Sequence, residues 1–312
     1  MGPYPKVLGH EGSGYAEAVG SDVKHVKAGD PVLLSFASCA SCKSCKDGYP
    51  SFCQQFPVLN YANEQKMYSE ASGQFFGQSS FASMAIVKAS SVVNVKGIVS
   101  DEDLKMFSPM GCGFQTGVGT IDNLAEAKAK DTVLIFGLGG VGLSGIMAAK
   151  INNCHTIIGV DRFEQRLELA KSLGATHAIN TSEKDFDLTK AVMDITDGIG
   201  ADIIMDTTGN LGLIKSGLEC TANRGQLIIL GVPPADAILD VHLISFMSTG
   251  KNIRGSIEGD VTPSDYIPKM IQWQRQGVLP IEQLIKYYKV EDFETALEDM
   301  HKGSTIKPVL LW

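Results

Sequence analysis

Strand-like and helix-like hydrophobic patterns alternate through the second half of the chain. Thr132 to Phe136 is apolar and β-branched, as expected for a strand that is buried on both faces. Three more strands are predicted at His177 to Asn180, Asp202 to Asp206 and Gln226 to Gly231, and helices at about Glu164 to Leu173, Asp185 to Thr196 and Gly212 to Ala222. Strands that alternate with helices require right-handed crossovers and a parallel sheet. The predicted fold class is therefore α/β, with a doubly wound parallel sheet.

A glycine-rich turn follows the first of these strands. Gly137, Gly139 and Gly142 have the spacing G-x-G-x-x-G. In a dinucleotide-binding turn the first glycine permits a tight bend, the second lets the backbone approach a pyrophosphate, and the third lets the next helix pack close to the strand. The free N–H groups at the start of that helix then face the phosphates. The pattern predicts a Rossmann dinucleotide site, whereas the glycines taken alone would also suit an ordinary strand-to-helix turn.

A further strand is predicted after the glycine-rich turn and its helix, and it ends in an acidic residue, Asp161. The carboxylate of Asp161 can accept hydrogen bonds from the 2′- and 3′-hydroxyls of an adenosine ribose. A 2′-phosphate would meet like charge there, which favours NAD over NADP. Arg162 and Arg166 are either solvated residues at a helix start or cations that tolerate NADP.

The first third of the chain has a different pattern. Residues 7–37 contain short apolar runs between Gly and Asp turns, which predicts a small β-rich domain with a strand at Pro31 to Phe36. A returning strand is predicted within residues 81–90. A segment rich in small residues begins at Gly111-Cys112-Gly113 and is expected to continue as a helix to Leu124.

Two sets of apolar side chains are expected mainly in the core. The aromatic residues of the stretch 55–88 pack there or line a hydrophobic substrate slot, and they are Phe75, Phe76 and Phe81. Four residues near the C-terminus share one face of a predicted helix: Phe293, Ala296, Leu297 and Met300.

Four of the seven cysteines stand close together, at Cys39, Cys42, Cys45 and Cys53. Four thiolates can surround one tetrahedral Zn²⁺ and leave no coordination position open, which is the chemistry of a structural site. Such a metal would order a loop that has few apolar residues to bury. Unligated or disulfide-bonded cysteines are the alternative.

Composition narrows the classes of protein. A formal net charge of −8 and a pI near 5.3 argue against a nucleic-acid surface. No run of about 18 uncharged apolar residues is present to span a membrane, and the N-terminus has no apolar signal core. We therefore expect a cytoplasmic protein without nucleic-acid or membrane partners, in which the clustered cysteines are reduced.

Several motifs together resemble one enzyme family. GHEGSG at residues 9–14, the four-cysteine segment, GCGFQTGVGT at residues 111–120, GLGGVG at residues 137–142 and the terminal Asp161 occur in the order seen in zinc-dependent medium-chain alcohol dehydrogenases. The chain is most similar to the aryl-alcohol or benzyl-alcohol branch, through GCGFQTG, RGSIEGD and KGSTIKPVL. The resemblance extends over essentially the whole chain. It implies a GroES-like catalytic domain at residues 1–112 with a structural zinc lobe at 39–53, an NAD-binding domain at 113–257, and a return to the catalytic domain at 258–312.

The resemblance also implies roles for individual residues. His10 and Cys112 correspond to two protein ligands of a catalytic zinc, and Glu11 to the neighbouring carboxylate that can approach it. Without that context, His10 and Glu11 would be an ordinary surface pair. The implied cofactor contacts include the turn residues Gly137, Gly139, Gly140, Val141 and Gly142. Val141 and Thr116 would lie at the nicotinamide ring, Leu230, Gly231 and Val232 at the nicotinamide amide, and Asp161 and Arg166 at the ribose. Lys307 would contact the pyrophosphate, unless it is simply an exposed lysine.

One departure from the family pattern concerns the N-terminus. Family members carry a segment before the His-Glu motif that supplies a further zinc-ligating cysteine, whereas no cysteine precedes Cys39 here. The catalytic domain is thus expected to be N-terminally incomplete, and this chain to bind catalytic zinc poorly.

Three functions are compatible with these motifs. The leading hypothesis is an NAD-dependent zinc enzyme, a homodimer or homotetramer, that interconverts a primary, aromatic or otherwise apolar alcohol and its aldehyde. The alternative is a truncated, catalytically impaired NAD-binding protein that keeps only its structural zinc. A zinc-free quinone or enoyl reductase ranks last, because it would not need the cysteine segment or His10-Glu11 with Cys112.

Overall fold

The computed structural model describes residues 4–62 and 64–312, which form two compact units. The first unit is Met1–Gln115 with Asp260–Trp312, and the second is Thr116–Gly259. No helix in these described ranges is both long enough and apolar enough to cross a membrane. The catalytic and NAD-binding roles given to the domains stay predictions.

Short strands and helices build the N-terminal part of the first unit. The strands are β1 (Ser13–Tyr15), β2 (Pro31–Leu34), β3 (Lys66–Tyr68), β4 (Ala71–Ser72) and β5 (Val92–Asn94), and the helices are α1 (Lys43–Lys46), α2 (Phe56–Asn60) and α3 (Leu104–Phe107). β2 is the central strand of an antiparallel sheet, in which Leu33 pairs with Ser13 and with Val93. The apolar residues of β2 are buried, so they belong to the core of this small sheet.

The predicted strand within residues 81–90 is wrong. These residues form no strand, and the next strand begins only at Val92, which pairs with Leu34 of β2. Phe81 and Ile86 are exposed. An apolar run becomes a strand only where a neighbouring strand accepts its backbone hydrogen bonds, and sequence periodicity does not contain that information.

The second unit contains the remaining α/β elements. Its strands are β6 (Thr132–Phe136), β7 (Thr156–Asp161), β8 (His177–Asn180), β9 (Ala201–Asp206), β10 (Thr221–Ile229) and β11 (Asn252–Gly255). Its helices are α4 (Gly113–Gly119), α5 (Gly140–Ile151), α6 (Glu164–Leu173), α7 (Leu188–Ile195), α8 (Leu211–Cys220) and α9 (Leu243–Thr249). α4 begins just before the unit boundary and continues as a π-helix at Thr120–Leu124.

The six strands of this unit form one parallel sheet in the order β11-β10-β9-β6-β7-β8. The order reverses between β6 and β9, so the sheet consists of two halves wound outward from its centre. A crevice opens at the carboxyl ends of the strands at such a reversal, where this class of sheet binds its ligands. The predicted α/β fold with a doubly wound parallel sheet is therefore confirmed.

A hydrophobic core lies between this sheet and its helices. Leu134 and Ile204, on two central strands, are fully buried, and Val192 and Ile214 pack from α7 and α8. β-Branched and other large apolar residues are buried on both faces of β6, β7 and β9, as expected for a parallel sheet, whereas β8 and β11 at its edges are partly exposed.

The C-terminal segment completes the first unit with α10 (Pro263–Arg275), β12 (Ile285–Lys289), α11 (Phe293–Lys302) and β13 (Lys307–Leu311). β12 and β13 pair in parallel. Short 3₁₀ turns occur at Pro50–Phe52, Phe75–Gly77, Ala89–Ser91, Ser108–Gly111, Glu258–Asp260, Ile281–Leu284 and Val290–Asp292.

The apolar face predicted for α11 is only partly buried. Ala296 is buried and Met300 is half-buried, but Phe293 and Leu297 are 47% and 44% exposed. The helical spacing was correct, whereas the expectation that all four residues are core was wrong. Periodicity shows which side chains share a face, and the packing partner determines how much of that face is covered.

Candidate functional site

The four clustered cysteines converge on one point. We call residues 39–53 the cysteine lobe. The sulfur atoms of Cys39, Cys42, Cys45 and Cys53 all lie within 4.8 Å of one another, and the Cys42 and Cys45 sulfurs are 3.5 Å apart. Four ligands at a Zn–S distance of about 2.3 Å would place sulfurs about 3.8 Å apart in a tetrahedron. All seven cysteines of the chain are described, and none forms a disulfide. The donor set fits one tetrahedral zinc.

Local hydrogen bonds and burial shift the pKa values of these thiols in opposite directions. Hydrogen bonds from the side chain and backbone of Ser41, and from the Cys42 N–H, lower the pKa of Cys39 to about 5. Burial, together with neighbouring thiols, raises the pKa of Cys45 to about 12. A bound cation favours the thiolate form of every ligand, so it would remove this difference.

An aromatic cluster joins the cysteine lobe to His10. Phe36, Cys53 and Phe56 form a buried core, and Phe76 packs against it. The ring of His10 lies 4.7 Å from the ring of Phe76 and 5.7 Å, edge-on, from that of Phe75. Phe75 is buried and Phe76 is half-buried, whereas Phe81 of the same predicted set is exposed. His10 therefore sits beside two aromatic side chains.

Glu11 connects the His10 segment with the Cys112 segment. Its Oε1 accepts a hydrogen bond from the Gly113 N–H at 2.8 Å, and its Oε2 forms an ion pair with Lys307. Residues adjacent to His10 and Cys112 are thus in direct contact although they are far apart in the sequence. We call residues 10–12 together with residues 111–113 the His10–Cys112 region.

The charges of this region are set by burial and by Lys307. Burial lowers the pKa of His10, the negative charge of Glu11 opposes this shift and the charge of Lys307 adds to it. Burial would raise the pKa of Glu11, but Lys307, His10 and the Gly113 N–H outweigh it and lower that pKa. The neutral imidazole and the ionised carboxylate are therefore the favoured forms, and both are forms that can bind a metal ion.

Cys112 lies between the 3₁₀ turn Ser108–Gly111 and α4, and its side chain is half-buried. Gly111 presses directly on the end of β2, because a Cβ at that position would lie 1.8 Å from the carbonyl oxygen of Leu34. Among the described residues, the four lobe cysteines are the only group of three or more His, Cys, Asp or Glu side chains that could hold one metal ion. His10, Glu11 and Cys112 do not form a second group of that kind. The two oxygens of Glu11 instead contact the Gly113 N–H and Lys307.

The glycine-rich turn of the second unit has a distinct geometry at each glycine. Gly137 follows β6 with a φ of +84°, and a side chain there would meet Thr207. A Cβ on Gly139 would meet nothing within 4 Å, so the backbone is open at that point. A Cβ on Gly142 would lie 1.8 Å from the Gly137 carbonyl oxygen, so α5 is in close contact with the turn. An open backbone position at the start of α5 fits a pyrophosphate.

Asp161 lies at the end of β7 beside this turn. Its Oδ2 accepts from the Leu138 N–H at 2.8 Å, and its Oδ1 accepts from the N–H groups of Arg162 and Phe163. Arg166 lies 3.7 Å from Asp161, and its buried Nε has no hydrogen-bond partner among the described residues. A buried donor without a partner is costly, so this nitrogen is suited to a ligand atom such as a ribose oxygen.

The other predicted cofactor residues lie on both units. In the second unit, the Thr116 hydroxyl is 3.5 Å from a carboxylate oxygen of Glu258, and Val141 lies in the first turn of α5. Leu230, Gly231 and Val232 follow β10, and Val232 is 92% exposed. Lys307 belongs to the first unit, where its ammonium group pairs with Glu11.

Comparison with known proteins identifies the family. Residues 1–97 match the alcohol dehydrogenase GroES-like domain, and residues 140–276 match the zinc-binding dehydrogenase domain. Geraniol dehydrogenase of Castellaniella defragrans is 37% identical over 99% of this chain and 84% of its own length. The chain belongs to the zinc-dependent medium-chain alcohol dehydrogenases.

Solved structures agree with this assignment. The structure of the benzyl alcohol dehydrogenase of Acinetobacter calcoaceticus matches this chain with a TM-score of 0.92 and 36% identity, and the match covers 99% of this chain and 84% of that chain. A zinc-binding alcohol dehydrogenase domain protein from Burkholderia ambifaria matches with a TM-score of 0.91 and 37% identity, over the same shares. The predicted family, fold, zinc and NAD dependence and alcohol oxidoreduction are therefore confirmed. The comparisons do not favour the alternative of an impaired NAD-binding protein.

Sequence analysis missed the polar residues that support the His10–Cys112 region. Gln78, Ser35 and Gln115 are fully buried and hydrogen-bonded to its backbone. Gln115 lies inside the GCGFQTG motif of the dehydrogenase, which was a usable signal. Gln78 and Ser35 lie outside any motif, so nothing in the sequence pointed to them.

Proposed function

We propose that this dehydrogenase interconverts primary alcohols carrying an aromatic or other apolar group with their aldehydes, using NAD(H). The observation that carries this proposal is the position of the His10 ring against Phe75 and Phe76, in the region where Glu11 binds the Gly113 N–H beside Cys112. Aromatic rings next to a metal-binding imidazole favour an apolar substrate. Relatives named as geraniol and benzyl alcohol dehydrogenases support the same class.

His10, Cys112 and Glu11 are the side chains that we assign to the catalytic zinc, and the cysteine lobe to the structural zinc. When bound, the catalytic ion supplies Lewis acidity that lowers the pKa of an alcohol. His10 contributes a neutral imidazole because burial lowers its pKa. Glu11 stays ionised and is held by Lys307 and the Gly113 N–H, which keeps its negative charge at the edge of the site.

The NAD site is assigned to the second unit. The open backbone at Gly139 and the first turn of α5, which begins at Gly140, would receive the pyrophosphate, and Asp161 and Arg166 the adenosine ribose. NAD supplies the hydride acceptor chemistry, and the protein binds and orients it. Thr116, Val141, Leu230, Gly231 and Val232 are assigned to the nicotinamide end from the family resemblance. Lys307 stays a predicted pyrophosphate contact.

Steady-state kinetics test this function. We expect NAD-dependent oxidation of benzyl alcohol with a higher kcat/KM than for ethanol, and a lower kcat/KM with NADP. A His10→Ala variant should lose about 100-fold or more in kcat, since metal catalysis supplies several kcal/mol. The control His25→Ala removes an exposed histidine of the same unit and should keep full activity. Equal activity in His10→Ala and His25→Ala would refute the assignment.

A homodimer or homotetramer is also proposed, on the strength of the family resemblance alone. Light scattering coupled to size-exclusion chromatography measures it directly. A monomer across micromolar concentrations would rule it out.

A further inference from the structure

We propose that the segment from Arg254 to Glu258 fixes α4 in register and so places the Thr116 side chain at the nicotinamide end of the NAD site. Ser256 and Glu258 are then positioning residues, which act through the helix. This inference rests on the assignment of Thr116 to the nicotinamide in the proposed function. All the contacts that carry it lie within the second unit.

Three side-chain hydrogen bonds join this segment to α4 and its π-helical end. The pairs are Arg254 with the Leu124 carbonyl oxygen, at 2.9 Å, Ser256 with the Thr120 hydroxyl, at 2.8 Å, and Glu258 with the Thr116 hydroxyl, at 3.5 Å. Arg254 and Thr116 are the donors of their pairs. Thr120, Ser256 and Glu258 are buried. We call these six residues the α4 anchor.

Regular spacing relates the two sides of the α4 anchor. Its members on the segment are two residues apart, and its members on the helix are four residues apart in the opposite chain direction. Two residues of extended backbone advance about 6.6 Å, and four residues of a helix advance about 6 Å and return to the same face. Because the two repeats match, a shift of the helix by one residue would break all three pairs.

The end of the helix is bound to the same part of the sheet. It ends as a π-helix at Thr120–Leu124, a form that is frequent at functional sites. The last carbonyl groups of a helix have no partner within it. Arg254 donates to that of Leu124, and the Gln226 amide of β10 donates to that of Ala125 at 3.0 Å. Two strands of the sheet therefore hold the helix end.

Close packing also fixes α4 against α5. A Cβ on Gly117 would lie 2.0 Å from the Val141 carbonyl oxygen and 2.1 Å from the Ser144 hydroxyl. The helix therefore lies directly against the start of α5, which follows the glycine-rich turn. Thr116 is the residue before this contact. Its position relative to the glycine-rich turn is thus set by α5 and by the α4 anchor together.

The backbone of Glu258 is strained. Its φ is +55°, in the left-handed region that residues with a side chain rarely adopt, and Gly259 follows with a φ of +70°. Asn123 donates to the Gly259 carbonyl oxygen at 3.4 Å, so this turn is also bound to the helix end. Strained residues persist where surrounding contacts hold them, and they cluster at functional sites. The strain supports a functional reason for the location of the Glu258 carboxyl group.

Thr221 provides a matched control for Thr120. Both threonines are buried in the second unit, and the Thr221 hydroxyl donates to the Gly217 carbonyl oxygen at 2.8 Å. Thr221 is the first residue of β10, whereas the ligands of a parallel sheet bind at the carboxyl ends of its strands. Thr221→Val and Thr120→Val therefore remove the same group from buried positions, and only the second breaks the α4 anchor.

The experiment compares the affinities of the full-length protein for NADH and for ADP-ribose by isothermal titration calorimetry. ADP-ribose keeps the adenosine and the pyrophosphate but lacks the nicotinamide ring, so the ratio of the two affinities reports on the nicotinamide end. We expect Thr120→Val and Ser256→Ala to weaken NADH binding about three- to tenfold, the range for one hydrogen bond, and to change ADP-ribose binding by less than about twofold. Thr221→Val should keep the wild-type ratio.

Variants of Glu258 test the third pair. Glu258→Leu removes the acceptor and should lower the ratio in the same way. Glu258→Gln keeps an oxygen that can accept from the Thr116 hydroxyl, so it should restore much of the ratio. Equal losses in the two variants would contradict a positioning role for Glu258.

The proposal is wrong if Thr120→Val and Ser256→Ala weaken the binding of both ligands equally, or if they lower only the melting temperature. Ser256→Ala removes a single oxygen atom, so it keeps the test decisive if Thr120→Val does not fold. Thr116→Ala separates this proposal from the proposed function. If Thr116→Ala lowers the ratio and the Thr120 and Ser256 variants do not, only the role of the α4 anchor fails. If Thr116→Ala keeps the wild-type ratio, Thr116 is not at the nicotinamide and both assignments fail.

Discussion

The cysteine lobe and the His10–Cys112 region are assembled in different ways. The lobe takes four sulfurs from residues 39–53, and in the absence of metal its thiols differ widely in pKa. The His10–Cys112 region brings together residues about a hundred positions apart, and a buried amide, a buried hydroxyl and a glycine hold them. We expect metal binding to supply much of the order in the first case, and the folded protein to supply it in the second.

The largest effect is expected from removing a ligand of the lobe. Cys42→Ala should lose the lobe zinc, and because a structural zinc site contributes on the order of 10 kcal/mol of binding free energy, the lobe should lose its order. Elemental analysis and proteolysis at residues 39–53 measure this. The control Cys154→Ala removes a buried cysteine of the second unit and should keep all the zinc. Zinc retained in full by Cys42→Ala would contradict the lobe assignment.

Gly111→Ala should distort the backbone of the His10–Cys112 region without removing any of the side chains assigned to zinc. The new Cβ would lie 1.8 Å from the Leu34 carbonyl oxygen, a backbone atom that cannot rotate away. We expect a loss of about 3 kcal/mol in the free energy of unfolding and a lower kcat. Denaturant unfolding and benzyl alcohol kinetics measure these changes.

Gly14→Ala is the matched control for that substitution. Gly14 lies in β1 of the same unit, and a Cβ there would meet nothing within 4 Å. Its stability should change by less than about 1 kcal/mol. Equal losses in the two variants would show that the contact between Gly111 and Leu34 is unimportant.

A smaller effect is expected where the two regions share a side chain. Phe76 packs on the lobe core and on the His10 ring, so Phe76→Leu should cost about 1 to 2 kcal/mol and lower kcat/KM for benzyl alcohol. Phe52→Leu, at a more exposed phenylalanine of the lobe, should change neither quantity appreciably. If Phe76→Leu lowers stability but leaves kcat/KM unchanged, the Phe76 ring stabilises the lobe core and does not contribute to substrate binding or catalysis.

The smallest effect should come from an ion pair outside both regions. Hydrogen bonds from Arg275 and Ser100 lower the pKa of Asp103 below its ordinary value of 3.8. The pair therefore stabilises the protein at pH values above 3.8, and this contribution is lost as the pH falls through the lower folded pKa. Asp103→Asn should cost less than about 1 kcal/mol at pH 7, because the pair is partly exposed.

Urea unfolding of wild type and Asp103→Asn at several pH values measures that contribution. The difference between the two proteins should be constant from pH 7 to pH 5 and shrink only below about pH 4. A difference that disappears between pH 7 and pH 5 would contradict the assignment.

Local sequence patterns predicted the second unit well. β6, α6 and β8 have the predicted bounds, because each is a short run whose period and end signals lie within the run itself. The cysteine lobe was predictable for the same reason, since its ligand spacing is local. The parallel arrangement of the strands followed from the alternation of strands and helices, whereas their order was not predicted.

The His10–Cys112 region could be predicted only through the family resemblance. Gln78 and Ser35 are polar residues in segments without periodicity, and their side-chain bonds span 43 to 80 residues. The pairing of Lys307 with Glu11, across most of the chain, also has no local signal. Contacts of this kind depend on the completed fold, and one sequence does not contain a pattern for them.

The hydrogen bonds of Asp161 have a consequence for changing the cofactor preference. Its carboxylate already accepts three backbone N–H groups, one of them from Leu138 within the glycine-rich turn. Replacing Asp161 by a neutral small residue to admit a 2′-phosphate would remove a repulsive charge and also leave those three donors without an acceptor. Redesign toward NADP would therefore have to rebuild the turn together with the proposed ribose contact.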